Sequence, residues 1–73
     1  SLTTTEARLL AIMVEKPGTI LSRKHLMELV APGGAERTID VQVNRLRQKI
    51  EINAKMPRYL QTVRGKGYIF WPD

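Results

Sequence analysis

The chain has no cysteine and a single histidine, His25. Disulfides and thiolate metal sites are thereby excluded, and one imidazole among scattered carboxylates does not build a zinc centre. The lack of cysteine is compatible with a reducing compartment. No apolar run approaches the length of a membrane span, and the N-terminus lacks the basic-then-apolar layout of a secretory signal. The expectation is a soluble cytoplasmic domain with no membrane partner, a piece of a longer protein. Missing too are a nucleophile beside a base and a phosphate-cradling glycine loop ahead of a helix, and the chain is too short to line a deep pocket. Arg64-Gly-Lys-Gly67 is glycine-rich but lacks the P-loop spacing. Neither an enzyme nor a cofactor is expected.

At 73 residues there is room for one modest core. The formal net charge of +5 is unevenly placed. Residues 1–36 carry four basic and four acidic side chains, whereas residues 37–73 carry eight basic against three acidic. Such a basic half suits a partner that is a polyanion, because phosphate contacts supply much of the affinity; a merely solvated basic surface is the plainer reading.

Thr3-Thr-Thr-Glu6 reads as a capping box opening a helix over residues 4–16 that turns Leu9, Ile12 and Met13 inward. Pro17-Gly18 ends it. Thr19-Ile20-Leu21 is β-prone, and Ser22 caps a second helix over 23–30 with Leu26, Leu29 and Val30 inward. Residues 31–35 form a loop with two glycines, Gly33 and Gly34. A third helix over 38–52 buries Ile39, Val43, Leu46 and Ile50. Its opposite side gathers Arg37, Val41, Asn44, Arg45 and Gln48, a mixture that suits the major groove of DNA: Arg and amides read base edges and an outward Val touches a thymine methyl. A hairpin then pairs residues 59–63 with 68–71 and carries Arg64 and Lys66 at its tip. Tyr68, Phe70 and Trp71 are read as packing onto the helices rather than as base-stacking platforms.

Three helices, a short strand and a terminal hairpin describe an α+β winged helix-turn-helix, residues 1–73 making one domain. Leu2-Thr-Thr-Thr-Glu6, Pro17-Gly18, Ser22-Arg23, Arg37-Thr-Ile-Asp-Val41 running into Leu46-Arg47, and Thr62-Val-Arg-Gly-Lys-Gly-Tyr68 together resemble the C-terminal DNA-binding effector domain of OmpR/PhoB-family response regulators. The sequence opens at the first helix, without the four-stranded sheet that precedes it in that family. The resemblance implies a bacterial two-component transcription regulator whose third helix enters the major groove. Val41, Asn44, Arg45 and Gln48 would then face bases, and Arg64 would enter the minor groove. Arg37, Arg47, Lys49, Thr62 and Lys66 would meet phosphates. It further implies a contact of loop 31–36 with RNA polymerase, and a monomer that dimerises on tandem DNA sites. Each role has a plainer counterpart: Arg47 or Lys49 as solvated helix charges, Val41 as an isolated exposed apolar residue, Asp40 as the ion-pair partner of a neighbouring Arg, His25 as a surface residue. The alternative at the level of function is a winged helix that docks a protein, which would need a contiguous apolar patch where this face is cationic.

Overall fold

The reciprocal bonds of a capping box start the first helix. Thr3 Oγ1 accepts from Glu6 N at 3.1 Å and Glu6 Oε1 accepts from Thr3 N at 3.0 Å. In the computed structural model, which describes residues 1–72, this helix is α1 (Thr4–Glu15). Gly18, at φ 71°, turns the chain out of it and donates its amide to Phe70 O at 2.8 Å. The next two residues form β1 (Ile20–Leu21), and Ser22 then caps α2 (Arg23–Val30) by accepting from His25 N at 3.0 Å. Beyond the glycine loop come α3 (Glu36–Ile50), β2 (Leu60–Val63) and β3 (Gly67–Phe70).

The short strand is part of the wing. β1 and β2 both pair antiparallel with β3, giving the order β1-β3-β2 with Leu21 opposite Tyr68 and Thr62 opposite Tyr68 on the other side. Gly67 is what allows β1 to lie so close, since a Cβ there would fall within 2.1 Å of Leu21 O. The recognition of Thr19-Ile20-Leu21 as β-prone is correct, and its partner is the hairpin strand nearly fifty residues away.

Leu9, Met13, Leu26, Ile39, Val43, Leu46 and Leu60 fill the centre, with Leu21, Val30, Tyr68 and Phe70 around them. The stripe read along α3 is thus the face it buries, Ile50 lying half-buried at its end. Two expectations are corrected. Leu29 is exposed, because at 100° per residue it stands roughly 80° from the line between Leu26 and Val30. Trp71 is 44% exposed and lies over Gly18 rather than on the helices, since alternation along β3 sends Tyr68 and Phe70 inward and leaves Ile69 and Trp71 on the outer face.

α3 begins and ends two residues before the expected bounds. Glu36 in its first turn complements the helix dipole. At the other end Glu51 leaves the helix with extended backbone, ψ 144°, and turns its carboxylate to the segment leading into β2.

Candidate nucleic-acid interface

α3 is amphipathic in a way that leaves one face without protein partners. Arg37, Val41, Asn44, Arg45 and Gln48 are all exposed, Val41 at 46%. Beside them projects the tip of the hairpin, closed by Lys66 N donating to Val63 O at 2.9 Å, with Gly65 at φ 74° and open space around its Cα. The tip presents Arg64 and Lys66 to solvent. Among the described residues Arg37, Arg45, Arg64 and Lys66 have no ion-pair partner in the chain.

Two grooves lie along the flank of α3 that faces the wing, one toward each end of the helix, with Thr62 between them. One, of about 440 Å³, lies between the start of α2, the start of α3 and the wing tip, lined by Lys24, Glu36, Asp40, Arg64 and Lys66 among others. The other, of about 650 Å³, is bordered by Asn44, Gln48, Lys55, Gln61 and Thr62. Lys24 and Lys55 were not singled out from the sequence. Lys24 stands two residues after the Ser22 cap, in the first turn of α2, a signal available in the sequence; Lys55 lies in a loop whose fold no local pattern gives.

Two expected phosphate residues are elsewhere. Arg47 is 8% exposed; its Nε donates to Leu60 O at 2.8 Å, its Nη2 to Thr62 Oγ1 at 2.9 Å, and its guanidinium lies 5.6 Å from the centre of the Tyr68 ring. Burial lowers its pKa, against the opposing pull of Tyr68 and Glu51. The expectation of a free flanking anchor is therefore corrected: Arg47 holds the wing to the helix. Lys49 points away from the grooves and bonds Glu6 Oε1 at 2.6 Å and Ser1 O at 2.7 Å. It too is corrected, from a phosphate contact to the counter-ion of a carboxylate that is buried but for 2%. Glu6 is held below its ordinary pKa, first by Lys49 and then by the Thr3 amide, against burial.

Asp40 pairs with an Arg as expected, but with one from α2. Arg23 grips it in a fork, Nε to Oδ1 at 3.0 Å and Nη2 to Oδ2 at 2.7 Å, and Tyr68 donates its hydroxyl to Oδ1 at 2.5 Å. Burial, and then the bond to Asp40, push the Tyr68 phenol up to about 12. The charge of Asp40, which lies beside the cationic face, is thus offset by Arg23. His25 is exposed beside the Ser22 cap, as expected. Sequence reasoning missed Glu51, whose carboxylate accepts from the amides of Arg58, Tyr59 and Leu60 at 2.8 to 3.2 Å. Burial raises its pKa, but those amides and Arg47 outweigh it and leave it lowered. No cluster of three or more metal-ligating side chains occurs among the described residues, and none of their helices is long and apolar enough to cross a membrane.

A helix pair whose second member exposes a cationic and amide-bearing face, followed by a two-stranded wing with cations at its tip, defines the winged-helix class. Residues 1–70 match the family described as transcriptional regulatory protein, C terminal. Protein PetR of Rhodobacter capsulatus is 42% identical across 99% of this chain, which covers 34% of PetR. The DNA-binding domain of Klebsiella pneumoniae RstA, solved in complex with the RstA box, superposes with a TM-score of 0.89 at 34% identity, over 100% of this chain and 75% of that one. DrrB of Thermotoga maritima, an OmpR/PhoB homologue, superposes with a TM-score of 0.91 at 30% identity, over 97% of this chain and 33% of DrrB. The chain belongs to the family of C-terminal domains of OmpR/PhoB-type transcriptional regulatory proteins. It spans about a third of the length of the relatives it matches.

Proposed function

We propose that this chain binds double-stranded DNA in a sequence-specific way, as the effector domain of a two-component transcription regulator acting in the bacterial cytoplasm. The observation that carries the proposal is the outward face of α3: Arg37, Val41, Asn44, Arg45 and Gln48 are exposed together, next to a wing tip bearing Arg64 and Lys66. An α-helix fits the major groove, where Arg, Asn and Gln match the donor and acceptor edges of bases and Val a thymine methyl. Val41, Asn44, Arg45 and Gln48 read bases in this arrangement. Arg37, Thr62 and Lys66, with Lys24 and Lys55 in the flanking grooves, meet phosphates, which fix register without reading sequence. Arg64 enters the adjacent minor groove, most favourably where an A·T tract narrows it. The complex of the similar RstA domain with its box supports this reading.

The same proposal makes residues 1–73 one DNA-binding unit with no catalytic role, governed in the whole protein by a phosphorelay from a sensor kinase. Loop 31–36, exposed and turned by Gly33 at φ 84°, is its surface for RNA polymerase. The unit is a monomer when free and pairs on tandem sites. Docking of a protein by the same face is not favoured, because Val41 is its single apolar member. The test is a titration with duplex DNA selected from a random pool, at two salt concentrations. Affinity should fall steeply with salt and exceed that for a scrambled duplex; a folded chain with no affinity at low salt refutes the proposal.

A further inference from the structure

Sheet bonds fix β2 to β3, but other bonds fix the hairpin to α3. Tyr59 O accepts from Trp71 N at 2.8 Å, so in the antiparallel alternation the Tyr59 carbonyl and Gln61 turn toward β3 while Leu60 and Thr62 turn to the open edge, and the Tyr59 amide, just ahead of the strand, turns to Glu51. That edge is gripped from α3. Arg47 takes Leu60 O and the Thr62 hydroxyl, and Glu51, one turn further on, takes Leu60 N with the two preceding amides. Leu60, fully buried, has both of its backbone groups held by side chains of the recognition helix. Apolar packing beneath a hairpin is non-directional and tolerates sliding. A guanidinium fork and a carboxylate spread over three amides do not, because each bond weakens steeply as its angle opens.

We infer that Arg47 and Glu51 are positioning residues that fix the separation between the base-reading face of α3 and the wing tip, and so set how many base pairs lie between the two DNA segments the chain accepts. This rests on the DNA reading above. A wing displaced by about 3.4 Å along a duplex is out of step by one base pair. Neither residue touches DNA in this role. Both act through Arg64, which lies two residues beyond the last hydroxyl they hold.

The test uses a duplex selected by the 73-residue chain and a second in which the A·T tract under the wing is moved by one base pair. The unaltered chain should prefer the first by about tenfold, equivalent to about 1.4 kcal/mol. Glu51→Gln and Arg47→Lys should each bring that ratio to about twofold or less while the chain still melts cooperatively. Arg64→Ala should abolish the ratio, and adding Glu51→Gln to it should change nothing more. An equal loss on both duplexes with the ratio intact, or additive effects with Arg64→Ala, would mean that the two residues serve stability alone and overturns the inference. A second measurement needs no DNA: since the chain has no native cysteine, nitroxides placed at positions 36 and 66 report the helix-to-tip distance directly. Its distribution should be narrow in the parent and broad in Glu51→Gln and Arg47→Lys; unchanged distributions overturn the clamp whatever DNA does. A narrow distribution that broadens as expected, in a chain that binds no duplex, instead locates the failure in the DNA reading.

Discussion

Lys49→Gln and Lys66→Gln each remove one positive charge from the basic half of the chain, and the structure assigns them opposite consequences on DNA. Lys66 stands exposed at the wing tip and lines the groove beside the start of α3. Lys49 leaves the same helix toward α1 and closes on Glu6 at 2.6 Å. Each phosphate neutralised adds about 0.9 to the slope of log affinity against log salt, so between about 50 and 200 mM salt one contact is worth about 3.5-fold. The affinity of Lys66→Gln should therefore decline about 3.5-fold less than that of the parent over that range, and its loss should be similar on every duplex sequence. Lys49→Gln should keep the parental slope and instead lower the melting temperature, because it leaves the Glu6 carboxylate buried without its counter-ion. Fluorescence anisotropy with a labelled duplex at four salt concentrations measures the slopes, and circular dichroism the melting. A flattened slope in Lys49→Gln, or a parental slope in Lys66→Gln, would refute the placement of the two lysines on opposite sides of α3.

Arg45→Ala should relax selection at one base position by about 1–3 kcal/mol, read as an altered base frequency in a selected pool, with stability unchanged. Gly67→Ala should destabilise by about 2–4 kcal/mol, combining overlap with Leu21 O and a φ of 149°, whereas Gly65→Ala, with open space but a φ of 74°, should cost about 1 kcal/mol; thermal melts separate them. On acidification, Glu51 and Glu6 have lowered folded pKa values, so their contribution is complete above the unfolded value near 4.5 and is lost as pH falls through the folded ones. Glu51→Gln should make the melting temperature less dependent on pH below about 4.5. In alkali the sign reverses: the Tyr68 phenol, raised to about 12, contributes fully below its unfolded value of 10 and loses that contribution as pH climbs toward 12, a slope that Tyr68→Phe should remove.

Period and spacing made the two faces of α3 legible because both are local properties of one helix. Ile39, Val43 and Leu46 repeat on a single line, and Val41, Asn44, Arg45 and Gln48 fall opposite it. The flanks are another matter. Arg47 stands roughly 70° to one side of the buried line and Lys49 roughly 90° to the other, and a helical wheel treats the two sides alike. What distinguishes them is which neighbour arrives: β2 on the side of Arg47, α1 on the side of Lys49. That is long-range information, carried by strand pairing and helix packing, and no window of a dozen residues holds it. The same applies to Glu51, whose amide donors lie seven to nine residues ahead across a loop, and to β1, whose partner Tyr68 closes the sheet from the far end of the chain.

The division of charge between the halves takes on a different meaning once these contacts are known. Of the eight basic residues in the second half, Arg47 and Lys49 serve inside the fold, so the excess there overstates the cationic surface of that half. The neutral half makes up part of the difference: Lys24 stands at the start of α2 beside the wing tip, and Arg23 offsets Asp40, one of the two acidic residues of α3 that line the groove there. The field that a polyanion would meet is therefore assembled from both halves, and it depends on the fork between α2 and α3 as much as on the residues that face outward. Arg23→Gln follows as a discriminating case. It removes a cation that lies outside the base-reading set, and by leaving Asp40 uncompensated at the edge of that face it should weaken binding to all duplexes beyond the loss of one charge, an excess that Asp40→Asn in the same chain should restore.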